Sequence, residues 1–162
     1  MPCTLDIEAS GFGRDSYPIE VGFVRDDGFS LCTLIRPQPD WTHWDASAAG
    51  LHGISRDTLQ RHGRPVAEVA RALNEALAGC TVYCDGWAHD YPWLGRLFDA
   101  ADAVPAFRLE SAACLLPGGA LDALGAACLR ARAELGVQRH RASVDARVLQ
   151  RALRSLVAPH PR

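Results

Sequence analysis

The feature that most constrains this chain is the order in which its apolar periodicity changes. Residues 3–9, "CTLDIEA", alternate, with Cys3, Leu5, Ile7 and Ala9 on one face and Thr4, Asp6 and Glu8 on the other, which predicts a strand. "PIEVGFV" and "FSLCTLI" follow as strand-like runs parted by the turn signal "RDDG", so the first third predicts an antiparallel three-stranded meander. The next stretch, "RPQPDWTHWDASAAGLHGISRDTLQRHG", is loop-rich, with short helical pieces at most. Pro65 then suits a first helical turn, and Val66, Val69, Ala70, Leu73 and Leu77 share a helical face until Gly79. "CTVYCD" reads as a short apolar strand, and "DYPWLGRLF" as a helix whose start is confined by Pro92 to about that position. The first part of "AFRLESAACLL" reads as a strand, "ALDALGAACLRARAEL" as a helix ending at Gly136, and "QRHRASVDARVLQRALRSL" holds the last helix. A meander followed by helix, strand, helix, strand, helix, helix is an α/β fold with a mixed sheet covered by helices. At 162 residues it is expected to be one domain around one substantial core.

Composition narrows the partners. A net charge of −2 gives no bulk attraction for a polyanion, so any affinity for phosphate must come from local patches, and every basic side chain other than histidine is arginine. "MPCTLDIEASG" has no basic start followed by an apolar run, and no run of ~18 apolar residues occurs, so a cytoplasmic protein without a membrane span is expected. Cys3, Cys32, Cys80, Cys84, Cys114 and Cys128 sit mostly inside apolar runs and are read as reduced, buried thiols. Cys80 and Cys84 have no second pair or spaced histidine to complete a zinc site.

The carboxylates carry the chemistry. Asp6 and Glu8, two apart on a strand, leave one face ~7 Å apart. Such a pair belongs either on a solvent-exposed face or where cations meet it. Asp90 precedes Trp93, Leu94 and Leu97 by three, four and seven residues, which places it on an inward helix face. Asp145 stands in the same relation to Val148, Leu149, Ala152 and Leu153. A carboxylate near a helix N-terminus gains ~0.3–1 kcal/mol from the dipole, which accounts for the position along the helix and not for the inward face. Four acids directed at one sheet make sense if they share hard cations such as Mg²⁺ or Mn²⁺. Two such ions ~3.5–4 Å apart can hold the attacking and leaving oxygens of a phosphoryl displacement. His140, on the loop before the last helix, is placed to take the proton of an attacking water.

These residues match a known pattern. "LDIEASG", "WAHDYPWL" and "HRASVDA" resemble, in order and content, the three motifs of the DEDD exonucleases, and the spacing of His140 and Asp145 resembles the DEDDh branch. That branch includes polymerase proofreading subunits, ribonuclease T and oligoribonuclease. "SYPIEVGFV" and "LHGIS" are also similar to segments of the family, so the resemblance spans residues 3 to 155. It implies a ribonuclease H-like fold. It implies Asp6, Glu8, Asp90 and Asp145 as ligands of two divalent ions, His140 as general base, and removal of 5′-monophosphates from a 3′ end. Ser10, Gly11 and Phe12 match the part of the first motif that approaches the terminal nucleotide, and His52 matches a histidine found near it. In the second motif Gly86 and His89 stand where many members have Asn and Phe, which leaves Asp85 as a rival to Asp90. Asp90 is preferred, because Asp85 opens a "DG" turn, an ordinary structural role.

Arg130, Arg132, Arg139, Arg141, Arg147, Arg151 and Arg154 give the C-terminal quarter a positive bias, and Arg139 and Arg141 adjoin the candidate site, where they could hold phosphates. Phe12, Trp41, Trp44 and Trp87 are either stacking platforms for unpaired bases or ordinary core rings. The expected function is thus a metal-dependent 3′→5′ exonuclease on single-stranded ends. The alternatives are a non-catalytic nucleic-acid or protein-binding module of the same fold and a polymerase-bound proofreading subunit. The short end "VAPHPR" leaves little for a polymerase to hold, which favours an independent enzyme trimming RNA or short oligonucleotides. The sequence leaves DNA against RNA open, and oligomeric state too, a homodimer included.

Overall fold

The computed structural model describes residues 1–138 and 140–157; Arg139, one of the two arginines expected to hold phosphate, and 158–162 of the C-terminal segment lie outside them. Strands β1 (Cys3–Ala9), β2 (Pro18–Val24) and β3 (Ser30–Leu34) form the expected meander. Helices α1 (Ala46–His52), α2 (Arg56–His62) and α3 (Val66–Leu77) lead to β4 (Thr81–Cys84). Helix α4 (Trp87–Ala100), β5 (Arg108–Ser111), α5 (Leu121–Leu135) and α6 (Ala142–Val157) complete the fold. The five-stranded sheet has the order β3, β2, β1, β4, β5, antiparallel within the meander and parallel from β1 through β4 to β5. The α/β class with a mixed sheet flanked by helices is therefore as expected.

Both faces of the sheet are covered. Leu5 and Ile7 of β1 and Ile19, Val21 and Phe23 of β2 pack with Val69, Leu73 and Leu77 of α3 and Leu97 and Phe98 of α4. The opposite face, which carries Thr4, Asp6 and Glu8, lies beneath α6, whose Val148, Leu149, Ala152 and Leu153 pack with Leu124, Ala127 and Ala131 of α5. Thr4 is fully buried there and its hydroxyl donates to the Ala146 carbonyl at 2.7 Å. So the acidic face of β1 is not the open face of an antiparallel strand. Gly22 makes the close approach of α6 possible: a Cβ there would come within 2.3 Å of the Ser143 nitrogen.

Two expectations need correction. Helix α4 begins at Trp87, five residues before Pro92, which sits inside it. Proline lacks the N–H that would bond the Ala88 carbonyl, but both residues are exposed, so the carbonyl is open to water and the helix passes through. The six cysteines are outside disulfides, yet Cys3 and Cys84 alone of the six are buried; Cys32, on the outer strand, and Cys114 are exposed. Among the described residues no helix is long and apolar enough to cross a membrane.

Candidate active site

The parallel pairing of β1 with β4 builds the site. Its register sets Cys3 opposite Val82 and Thr4 opposite Tyr83, so the continuing chains bring Asp6, midway along β1, level with Asp85, just past the carboxyl end of β4. Crevices at the carboxyl ends of parallel strands are where such sheets bind ligands. Helix α4 starts just beyond β4 and lowers Asp90 into the same place, where it is only 3% exposed. Helix α6 crosses β1 from the other side and brings Asp145 down at its first turn.

Ligand oxygens of Asp6, Asp85 and Asp90 lie within 4.8 Å of one another, as do those of Asp6, Glu8 and Asp145. Asp6 belongs to both groups. Asp90 and its rival Asp85 both lie in this cluster, so the two are neighbours in one group. The four expected carboxylates and His140 all line one cavity of about 580 Å³.

The electrostatics follow from crowding. Burial pushes the Asp90 carboxyl up to about 8, with the charge of Asp85 adding to the effect. Burial also raises Asp6 well above the usual carboxylate range, helped by Asp90 and Glu8. Without a cation, the cluster relieves its repulsion by holding protons. Asp90 Oδ2 is buried and has no hydrogen-bond partner among the described residues. A Cβ on Gly86 would stand 3.1 Å from that oxygen, so glycine keeps the space beside it open. An all-oxygen donor set with an unsatisfied buried carboxylate oxygen fits Mg²⁺ or Mn²⁺, whose bonds of ~2.1 Å span ~4.2 Å between opposed ligands.

Asp145 is differently placed. Its Oδ1 accepts from Arg132 Nη2 at 2.7 Å and its Oδ2 from the His140 backbone N–H at 2.7 Å. Each oxygen keeps a second lone pair, so one can still ligate an ion. The Arg132 ion pair is mostly buried, with 16% of each side chain exposed. Among the described residues Arg132 is the one arginine lining this cavity, and its Nη1 is buried with no partner among them. In the sequence Arg132 is one arginine of a basic bias; the packing of α5 on α6 sets it on Asp145.

The expected substrate residues separate. Gly11, exposed Phe12 and buried His52 line the cavity. The backbone of Gly11 has φ +149 and a Cβ there would meet Asp45 Cβ at 2.6 Å, which explains glycine at that point of the wall. His52 Nδ1 accepts from the Ile54 N–H at 3.0 Å, which leaves the proton on Nε2, and burial lowers its basicity. Ser10 does not line the cavity; its hydroxyl joins His43 Nδ1 at 3.0 Å and accepts from Tyr17 N–H at 3.1 Å, bracing the loop after β1. Arg141 does not line it either, since its guanidinium lies on Glu20. Trp41 is a core ring stacked on Tyr17, whereas Phe12 forms one wall with His89 and Trp93.

No family model and no curated protein matches the sequence. Solved structures do match. Exonuclease I from Methylocaldum szegediense superposes with a TM-score of 0.68 at 17% identity, over 94% of this chain and 40% of that one. E. coli Exonuclease I in complex with a dA16 oligonucleotide gives 0.69 at 13% identity, over 98% of this chain and 42% of that one. The zinc-bound E. coli ExoI–ssDNA complex gives 0.67 at 12% identity, over 98% and 41%. The fold is shared with exonuclease I. This chain spans about two fifths of the length of those proteins.

Proposed function

We propose that the chain is a divalent-metal-dependent 3′→5′ exonuclease that hydrolyses the terminal phosphodiester of single-stranded nucleic acid and releases 5′-monophosphates. The observation that carries this reading is that Asp6 is shared by two carboxylate groups, Asp6–Asp85–Asp90 and Asp6–Glu8–Asp145, in one cavity with His140. Two such groups with a common member are what a pair of ions needs. When bound, the ions would stabilise charge on the attacking and leaving oxygens. The likeness to exonuclease I structures, two of them with single-stranded DNA, supports the substrate class.

The residues divide the work. Asp6, Glu8, Asp90 and Asp145 hold the ions, with Asp85 completing the group around Asp90. The His140 imidazole takes the proton of the attacking water, and the loop preceding α6 lets it face the carboxylates. On a continuous helix, five residues would turn it ~140° away from Asp145. Exposed Phe12, backed by His89 and Trp93, offers a ring on which an unpaired terminal base can stack.

The test uses 5′- and 3′-labelled single-stranded RNA and DNA with Mg²⁺, Mn²⁺ or EDTA. Stepwise shortening of 5′-labelled strands, release of labelled mononucleotide from 3′-labelled ones and loss of both in EDTA are expected. Cleavage that persists in EDTA, or none on any substrate, would sink the reading. Asp90→Asn should cost at least ~100-fold in turnover and Asp85→Asn less, because Asp90 brings a buried oxygen without a partner among the described residues. The reverse order would show Asp85 to be the principal second-motif ligand.

A further inference from the structure

Glu20 is a carboxylate with no exposure, in the middle of β2, a strand of otherwise apolar character. Among the described residues, the nitrogens that donate to it come from the loop and first turn that carry His140, and the Cys32 thiol of β3 is a further neighbour. Arg141 Nε donates to both Glu20 oxygens at 3.1 Å, and Arg141 Nη2 donates to Oε1 at 2.7 Å. The Ala142 backbone N–H, one of the unpaired donors at the start of α6, donates to Oε2 at 2.9 Å. Gly22, two residues along β2 and so on the same face, is where the backbone of Ser143 comes down on the sheet.

On the other side of His140, its own backbone N–H donates to Asp145 Oδ2 at 2.7 Å. Between these two anchors His140 has φ +71, a left-handed conformation that a side chain adopts only where surrounding structure holds it. Glu20 is buried while 53% of the Arg141 side chain is exposed, so solvent screens the pair on its arginine side and it adds little to stability; its worth lies in what it positions.

We infer that Glu20, through Arg141 and Ala142, is a positioning residue that locks the His140 backbone in the conformation that points its imidazole at the carboxylates. This rests on the reading of His140 as the base. It also gives Arg141 a different task from the phosphate contact expected from sequence: its guanidinium is a strut between β2 and the catalytic loop.

The test compares wild type with Arg141→Met, Arg141→Lys and Glu20→Gln. In metal-free protein, the imidazole Cε1–H resonance of His140, assigned with His140→Ala, should move towards the position of an unstructured histidine in Arg141→Met. It should shift less in Arg141→Lys, which keeps the charge, and in Glu20→Gln, which still accepts from Ala142. In turnover, Arg141→Met should lose ~100-fold in kcat, the effect of a catalytic group misplaced by about 1 Å, with KM within about twofold. A raised KM with unchanged kcat would overturn the inference and make Arg141 a substrate ligand. So would an unmoved His140 resonance. If the wild type hydrolyses no nucleic acid, the proposed function fails while the resonance still decides whether the strut holds the loop. If Arg141→Met does not fold, Glu20→Gln carries both readouts, and a wild-type spectrum and kcat there overturn the inference.

Discussion

Replacing Arg132 with Met should make the protein's stability depend on divalent ions more strongly than in the wild type. Arg132 Nη2 lies 2.7 Å from Asp145 Oδ1 with 16% of each side chain exposed, so the pair is poorly screened. Two charges ~4 Å apart attract by ~4 kcal/mol at an effective dielectric constant of 20. Removing one member of a mostly buried pair costs ~3–5 kcal/mol, because the other charge stays behind. Here that charge joins Asp6 and Glu8, which adds repulsion. Against this, Arg132 Nη1 is buried without a partner among the described residues, a cost of ~1–3 kcal/mol that the substitution removes. The balance is a loss of about 2–3 kcal/mol in EDTA. For a domain of this size that is a Tm drop of about 5–10 °C. A divalent ion between Asp6, Glu8 and Asp145 supplies the missing cation, so with saturating Mn²⁺ the deficit should close. By the same linkage Mn²⁺ should bind Arg132→Met at least ~10-fold more tightly by calorimetry, since no guanidinium competes for Asp145. An equal Tm in EDTA, or a deficit of the same size with and without Mn²⁺, would refute the argument.

Two further outcomes follow from the same electrostatics and packing. Because the folded state raises the Asp90 carboxyl to about 8, chiefly by burial, it binds that proton more tightly than the unfolded chain does. The contribution of this group to stability in EDTA is therefore fully present at acid pH and is lost as pH rises from ~4 towards 8; Tm measured at pH 5.5 and 8.5 should show the fall, and Asp90→Asn should lessen it, leaving the part due to Asp6. A wild-type Tm that is level or rises over that range would contradict the assignment. Gly22→Ala would drive a Cβ to within 2.3 Å of Ser143 N and 2.5 Å of the Ala142 carbonyl carbon. It should cost ~1–3 kcal/mol or more, whereas Gly50→Ala, with nothing within 4 Å, should cost nothing in a melt.

The sequence by itself determined the elements and which way their charged residues face. Both are local properties: the alternation in β1 sets Asp6 and Glu8 on one side, and the helical periods of α4 and α6 turn Asp90 and Asp145 inward. Pro92 misled, because whether a proline stops a helix depends on whether water can reach the carbonyl it leaves unpaired, and exposure is a property of the folded molecule. The tertiary structure alone decided the pairings. Asp85 becomes a member of the cluster through the parallel register of β1 with β4, strands about eighty residues apart in the chain. The crossing of α5 and α6 selects Arg132, out of the arginines of the C-terminal quarter, to sit on Asp145. Glu20, in an apolar strand, and Arg141, beside the candidate base, gave no sign in the sequence that each was the other's partner. Any arginine can pair with any carboxylate, so composition and spacing cannot choose among them; the choice falls to the backbone positions that packing imposes.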